Sequence, residues 1–300
     1  MVQVSEKLSV IIPTKDHPDD LRRLLASLAA QTSRPEEVIV VDGGDVPVER
    51  LVAESWPFVA RYERVFPPGL AKQQNAGVRR LDPVATLVAF IDDDIVLDPD
   101  AIDRMRAFWS EAPADVGGAA FNLVNNTAAP RHVWLKALFG LDSWKRGVLL
   151  RSGYQTKIGN VERTVEVEWL YGGATAWRRS LLASAPFDEW FEGPGHLYEL
   201  EFCFRVGLRH RLMVVADARA RELSTVRSWN DARLGRWQVV NRLYFVRKYN
   251  GQRGLSVTRC WVALMAQFGL NVIRAVVEGN RRYFERAQGN LVGFRDALRS

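Results

Sequence analysis

The chain has 300 residues, 47% of them hydrophobic and 25% charged, which suits two average domains or one large α/β domain with an appendage and excludes a disordered or collagen-like protein. Its two cysteines, Cys203 and Cys260, exclude a disulfide framework or metal finger and make a reducing compartment the default. The net charge of +6 is divided: residues 205–300 hold 19 Lys and Arg against 6 Asp and Glu, whereas residues 1–204 hold 22 against 29, so the tail suits a polyanion, a membrane surface or nucleic acid, unless it is only a solvated face.

Leu8-Ser9-Val10-Ile11-Ile12 reads as a buried strand ended by Pro13, too short and without the basic flank of a secretory signal. Asp19 or Asp20 is expected to cap a helix whose Leu21, Leu24, Leu25 and Leu28 recur at helical spacing. Residues 37–41 form a second strand ending at the turn Asp42-Gly43-Gly44, residues 61–66 a third, 71–81 a helix, and 86–91 a fully apolar strand that stops at Asp92-Asp93-Asp94. This alternation predicts a mostly parallel sheet with crossover helices, and ligands of such sheets bind at the carboxyl ends of the strands, where Thr14, Asp42 and Asp92 to Asp94 fall.

From about Gly117 the pattern changes to strands at 116–123 and 165–170 with long connections, then a helix at 197–206 and a strand at 212–216. Residues 131–150, rich in Trp, Leu and basic side chains, read as a mobile or interfacial element. After Ser228 the chain reads as helical, with an apolar stripe through Trp261, Leu264, Met265, Phe268, Val272, Ile273 and Val276, either a helix contact or a membrane contact. Its apolar run, residues 260–273, is about 14 residues and short of the roughly 20 that span a bilayer, so no spanning helix is expected.

Three adjacent carboxylates at a buried strand end repel one another unless a cation or donors offset them. Mg²⁺ or Mn²⁺ bridging carboxylate and phosphate oxygens would do so; the other reading is a solvated turn with one Asp capping a helix near Pro99.

At this point residues 8–225 resemble the family-2 glycosyltransferases. Ser9-Val-Ile-Ile-Pro13-Thr14 is similar to the family's opening strand, and Val40-Val41-Asp42 to its second, whose aspartate contacts the nucleobase. Gly69 to Gly77, with Lys72 in a nucleotide-facing segment and Asn75-Ala76-Gly77, resembles its asparagine-glycine helix, and Phe90 to Asp94 its metal and diphosphate motif. Gly172-Gly173-Ala174 resembles the loop beside the acceptor, and Phe187-Asp188-Glu189 with Glu199 to Arg205 the late acidic motif.

The resemblance implies the GT-A nucleotide-diphospho-sugar transferase fold, a Rossmann-like mixed α/β sheet flanked by helices, over residues 1–228, with a nucleotide-sugar half at 1–110 and an acceptor half at 111–228. A basic amphipathic helical extension follows at 229–300. It implies an inverting transfer from a nucleotide-diphosphate sugar to a glycan or lipid-linked hydroxyl, with Asp94 and Asp92 on the metal, Asp92 and Asp93 on the nucleotide sugar, and Glu199 as base in preference to Glu201 or Asp188. Glu201, two positions on, points elsewhere on a helix and is assigned to the acceptor with Gly172, Gly173 and Trp190.

The family's usual Glu-Asp at the base is Tyr198-Glu199 here, and no histidine stands in residues 216–222, where Arg221 could take the diphosphate instead or pair with a surface acid. Lys15, like Lys72, either faces the nucleotide or stays exposed, His196 reads as an ordinary loop residue, and of Trp169, Trp177 and Trp190 at least two read as core. A nucleotidyltransferase would show a glycine- and arginine-rich loop after the first strand, and a dinucleotide enzyme a glycine fingerprint; Pro13 to Pro18 has neither. A catalytically silent scaffold of the same fold remains the alternative from another class. No nucleic-acid motif accompanies the basic tail, so the expected place is the cytoplasm, peripheral at the inner face of the membrane.

Overall fold

Seven consecutive buried residues, Leu8–Thr14, form strand β1, and Glu37–Asp42 (β2), Val59–Arg64 (β3) and Leu87–Ile91 (β4) join it in parallel. The computed structural model describes residues 6–126, 133–183, 186–191, 193, 195–223 and 230–299, which divide into two compact units. Unit 1 comprises the described residues up to 126 and those of 158–223; unit 2 comprises 133–157 and 230–299. Residues 133–157 thus cluster with the C-terminal helices, where the sequence reading counted them in the acceptor half.

In unit 1 the sheet continues with Ile95–Leu97 (β5), Val116–Leu123 (β6), Val165–Val167 (β7), Ala174–Arg178 (β8) and Arg211–Glu222 (β9). Among the described residues the order is β3-β2-β1-β4-β8-β6-β9-β5, with β7 also on β9. β8 runs antiparallel between β4 and β6, so its amino end lies at the carboxyl edge of β4. Helices Pro18–Ala29 (α1), Glu49–Val52 (α2), Leu70–Arg79 (α3), Ala101–Glu111 (α4) and Tyr198–Gly207 (α6, after α5 at Val133–Leu138 of unit 2) complete the elements of unit 1. The core packs Leu21, Leu24, Leu25 and Leu28 of α1 and Ile102, Met105 and Trp109 of α4 with Leu8, Val10, Ile12, Val38 and Val40.

Two helix starts differ from expectation. α1 begins at Pro18 behind His17, so Asp19 and Asp20 lie inside its first turn, where a carboxylate complements the helix dipole instead of capping. α4 follows Asp100, whose side chain makes no cap hydrogen bond.

Unit 2 holds α5 and the helices Asp231–Lys248 (α7), Val257–Val277 (α8) and Arg281–Arg299 (α9). α7 and α9 touch backbone to backbone: a Cβ on Gly289 would lie 1.9 Å from the Ala232 carbonyl oxygen, and one on Gly235 2.1 Å from that of Arg286. Asn290 donates to the Gly235 carbonyl at 2.7 Å and accepts from Asn271 of α8 at 2.9 Å, tying the three helices through their middle. Buried Asp231 accepts from Arg282 at 3.2 Å and Arg286 at 2.6 Å.

Contrary to the expectation of no spanning helix, Gln252–Val277 is long and apolar enough to cross a membrane by length and composition. The apolar run is interrupted by Gln267 and Asn271, yet both are absorbed on one helix face at 3.1 Å from each other, leaving the average hydropathy high.

Candidate active site

The parallel strands β1, β2 and β4 end side by side, which delivers Thr14, Asp42 and Asp92 to one edge of the sheet. Asp92 continues the ladder, its N–H donating to the Gly173 carbonyl at 2.9 Å. Gly173 must be glycine for this approach, because a Cβ there would lie 2.2 Å from an Asp92 carboxylate oxygen. One residue earlier, a Cβ on Gly172 would meet the Glu199 Cβ at 3.0 Å and the Tyr198 hydroxyl at 3.2 Å. The paired glycines therefore bring Asp92, Tyr198 and Glu199 around one small patch of backbone.

Glu199 stands in the first turn of α6 and is half-buried, as is Asp92. The residue before the helix, Leu197, has φ 75°, a left-handed conformation costly for a branched side chain and one that re-aims the chain as α6 begins. Tyr198 is buried, and burial, reinforced by the charges of Asp92 and Glu199, holds its phenol well above the ordinary range, with Gln74 acting in the opposite sense. Its ring packs edge-on against Phe187 at 5.3 Å.

Asp93 and Asp94 are both buried. Asp93 accepts the Thr14 hydroxyl at 2.7 Å and faces His17 Nδ1 at 3.5 Å, so Thr14 orients a carboxylate. The Asp94 carbonyl accepts from Leu223 at the end of β9. Among the described residues no three His, Cys, Asp or Glu side chains converge as a complete metal cage. Asp92 and Asp94 nevertheless offer hard oxygen donors of the kind Mg²⁺ and Mn²⁺ take, and such ions draw the rest of their shell from water and substrate phosphates. The residues present therefore fit a metal held jointly with a diphosphate.

Several assigned residues have other work. Asp42 is fully buried and accepts from Gly44 N–H at 2.7 Å, Val48 N–H at 3.0 Å and the Tyr62 hydroxyl at 2.9 Å, so it holds the loop after β2. Asn75, also fully buried, clamps Phe187 through both backbone groups, at 2.9 and 3.0 Å, and Glu189 at 3.0 Å, so it positions the segment before α6. Glu201 is buried and pairs with Arg205 at 3.4 Å. Arg221 pairs with Asp98 at 3.0 Å on an exposed face, its partner across the ladder being Val96, two residues before Asp98.

Pro13 is buried within β1 opposite Val41. Lys72, half-buried in the first turn of α3, makes no ion pair among the described residues. Lys15 pairs with Asp16 at 3.2 Å, Trp169 and Trp177 are buried, and Trp190 remains 42% exposed with its ring edge-on to Phe191. The sequence reading missed Tyr198 as a site residue, and it missed Gln73, which donates to the Thr14 and Val41 carbonyls at 2.9 and 2.8 Å. The run Gln73-Gln74-Asn75, three amides in succession before the small residues Ala76 and Gly77, was the available signal.

The family model described as glycosyl transferase family 2 matches residues 9–183, more than half of the chain and every strand-end element of this site before α6. The chain belongs to that family. A validoxylamine A glucosyltransferase of Streptomyces hygroscopicus subsp. limoneus is 36% identical to it over 116 residues, 36% of this chain and 25% of that protein. The O-antigen biosynthesis protein RfbC of Myxococcus xanthus is 28% identical over 241 residues, 73% of this chain and 17% of that protein. This family-2 chain thus spans about a quarter or less of those two relatives. Its fold is that of the GT-A enzymes: the mannosyltransferase PcManGT of Pyrobaculum calidifontis, solved with GDP-Man and Mn²⁺, superposes with a TM-score of 0.55 at 16% identity, covering 97% of this chain and 86% of that one.

Proposed function

We propose that this chain transfers a sugar, with inversion, from a nucleotide-diphosphate sugar to a hydroxyl of a glycan or lipid-linked saccharide. The observation that carries the reading is the meeting of Asp92, on the strand-end acidic motif, with Glu199 across Gly172 and Gly173. A donor held at the strand ends and an acceptor beside α6 would then share one centre.

Glu199 takes the proton of the acceptor hydroxyl as that oxygen attacks the anomeric carbon, and the glycosidic bond to the diphosphate breaks on the opposite face. Tyr198, kept protonated by burial, offers a hydroxyl beside both carboxylates. Thr14 and His17 hold Asp93, and Lys72 is the free cation nearest in sequence to the glycine that opens α3. A divalent metal bound by Asp94 and Asp92 would supply a Lewis acid for the leaving diphosphate. Trp190 offers a flat ring to a sugar face. The related proteins are named for a glucosyl transfer and for O-antigen synthesis, and the similar structure holds GDP-mannose with Mn²⁺, which supports a nucleotide-sugar donor and a polysaccharide setting. The basic end of the chain favours work at the inner face of a membrane.

Calorimetric titration with UDP, GDP, dTDP and CDP, each with Mn²⁺ and with EDTA, tests the donor half. One nucleotide is expected to bind with metal and to lose that binding in Asp94→Ala; no binding of any of the four overturns the reading. Glu199→Gln is expected to retain nucleotide binding while turnover falls by about 10²–10⁴-fold, the usual worth of a general base.

A further inference from the structure

α8 buries Cys260, Ala263, Leu264 and Asn271. At about 100° per residue its opposite arc, roughly 140° wide, carries Val262, Met265, Val272, Ile273, Val276 and Val277. All six are exposed, from 39% at Val272 to 78% at Val277. No acidic residue lies on this arc, and Arg259 stands at its margin. A helix stripe of this kind on a soluble surface marks an interaction face.

Charge decides what covers it. The described residues of unit 2 hold 18 Lys and Arg against 5 Asp and Glu. Pressing two copies together through such a unit brings like charge to like charge, whereas an anionic lipid surface gains from every arginine near its headgroups. Insertion of α8 across the bilayer is opposed by its inner face, where Gln267 bonds Asn271 at 3.1 Å and Asn271 donates to Asn290, which in turn donates to the Gly235 carbonyl of α7. Crossing would break that chain in hydrocarbon or drag the arginine-rich α7 and α9 in with it.

We propose that α8 lies in the plane of an anionic bilayer, with Val262, Met265, Ile273 and Val276 at the acyl boundary and arginines of unit 2 at the phosphates. The purpose of this contact rests on the reading of a lipid-linked acceptor given above; the contact itself is measured without any acceptor.

The full chain is floated with vesicles of phosphatidylcholine alone and of equal parts phosphatidylcholine and phosphatidylglycerol. Binding is expected on the anionic vesicles only. The triple variant Met265→Glu/Ile273→Glu/Val276→Glu is expected to lose it by about tenfold or more, and the triple leucine variant at the same positions to keep it. Nucleotide titration and thermal melts of both variants are expected to match the parent chain, which separates a lost contact from a lost fold. Undiminished flotation of the glutamate variant overturns the assignment of this face while leaving membrane binding in place. Absence of flotation by the parent chain overturns the contact and leaves glycosyl transfer to the nucleotide titration. Resistance to alkaline carbonate extraction, or a dimer in light scattering that the glutamate variant dissolves, overturns it in favour of a spanning helix or a second copy.

Discussion

A single methyl group at Gly173 would stand 2.2 Å from an Asp92 oxygen, closer than any real contact, and turning the carboxylate aside would still leave the Asp92 Cβ 2.9 Å away on a backbone tied to the Gly173 carbonyl. Gly173→Ala is therefore expected to move Asp92 and to cost about 10²-fold in turnover, the scale of an ångström's misplacement at a reacting centre, with weaker nucleotide binding in the same titration. The place of the strand-end aspartates was legible in the sequence, since apolar runs ending in carboxylates show directly, whereas Glu199 was reached only through the family resemblance. The contacts of Asn75 and Arg221 were not legible, because each depends on a distant partner, and those of Asp42 and Glu201 were not because they follow from complete burial, which no local pattern announces. Asn75 meets Phe187, 112 residues on, and Arg221 faces Asp98 through a register between β5 and β9 that no local pattern encodes.

Elements of regular period were read closely. The expected strand at 116–123 is β6, the helix expected at 71–81 is α3 at Leu70–Arg79, and that at 197–206 is α6 at Tyr198–Gly207. β5 and β8 were missed: the first has three residues, and the second, Ala174–Arg178, follows two glycines and carries no alternating pattern. In unit 2 the helices were visible but not their packing, which rests on glycines. Gly235→Ala and Gly289→Ala are each expected to lower stability by about 1–3 kcal/mol in denaturant melts, because the clash is with backbone. Gly269→Ala, with nothing within 4 Å, is expected to raise it by about 0.5–1 kcal/mol. In the same unit Tyr154 is half-buried with its hydroxyl shielded from water, which pushes the phenol up to about 12 despite Arg242 lying 3.8 Å over its ring. The unfolded chain gives up this proton near pH 10 while the folded chain keeps it, so stability is intact below pH 10 and falls by about 2–3 kcal/mol as pH rises to 12. Tyr154→Phe is expected to remove that part of the alkaline slope when melts at pH 8 and pH 11 are compared.

Across the whole molecule the charge division separates two kinds of electrostatics. The site depends on contacts at hydrogen-bond range, such as Thr14 to Asp93 at 2.7 Å, which salt screens little. The excess of Lys and Arg in residues 205–300 acts over the screening length, about 10 Å at 0.1 M salt and shorter above it. If the basic end serves to hold the enzyme on a surface, the two should respond to salt independently. Raising sodium chloride from low concentration to about 0.5 M is therefore expected to cut turnover on an acceptor embedded in anionic vesicles by about tenfold, while turnover on a short-chain, water-soluble form of the same acceptor stays within about twofold. Release of radiolabelled product from the two acceptors in parallel reads this directly. Equal loss on both would mean that the basic charge acts on the donor site itself, and equal retention that the charge is only a solvated face.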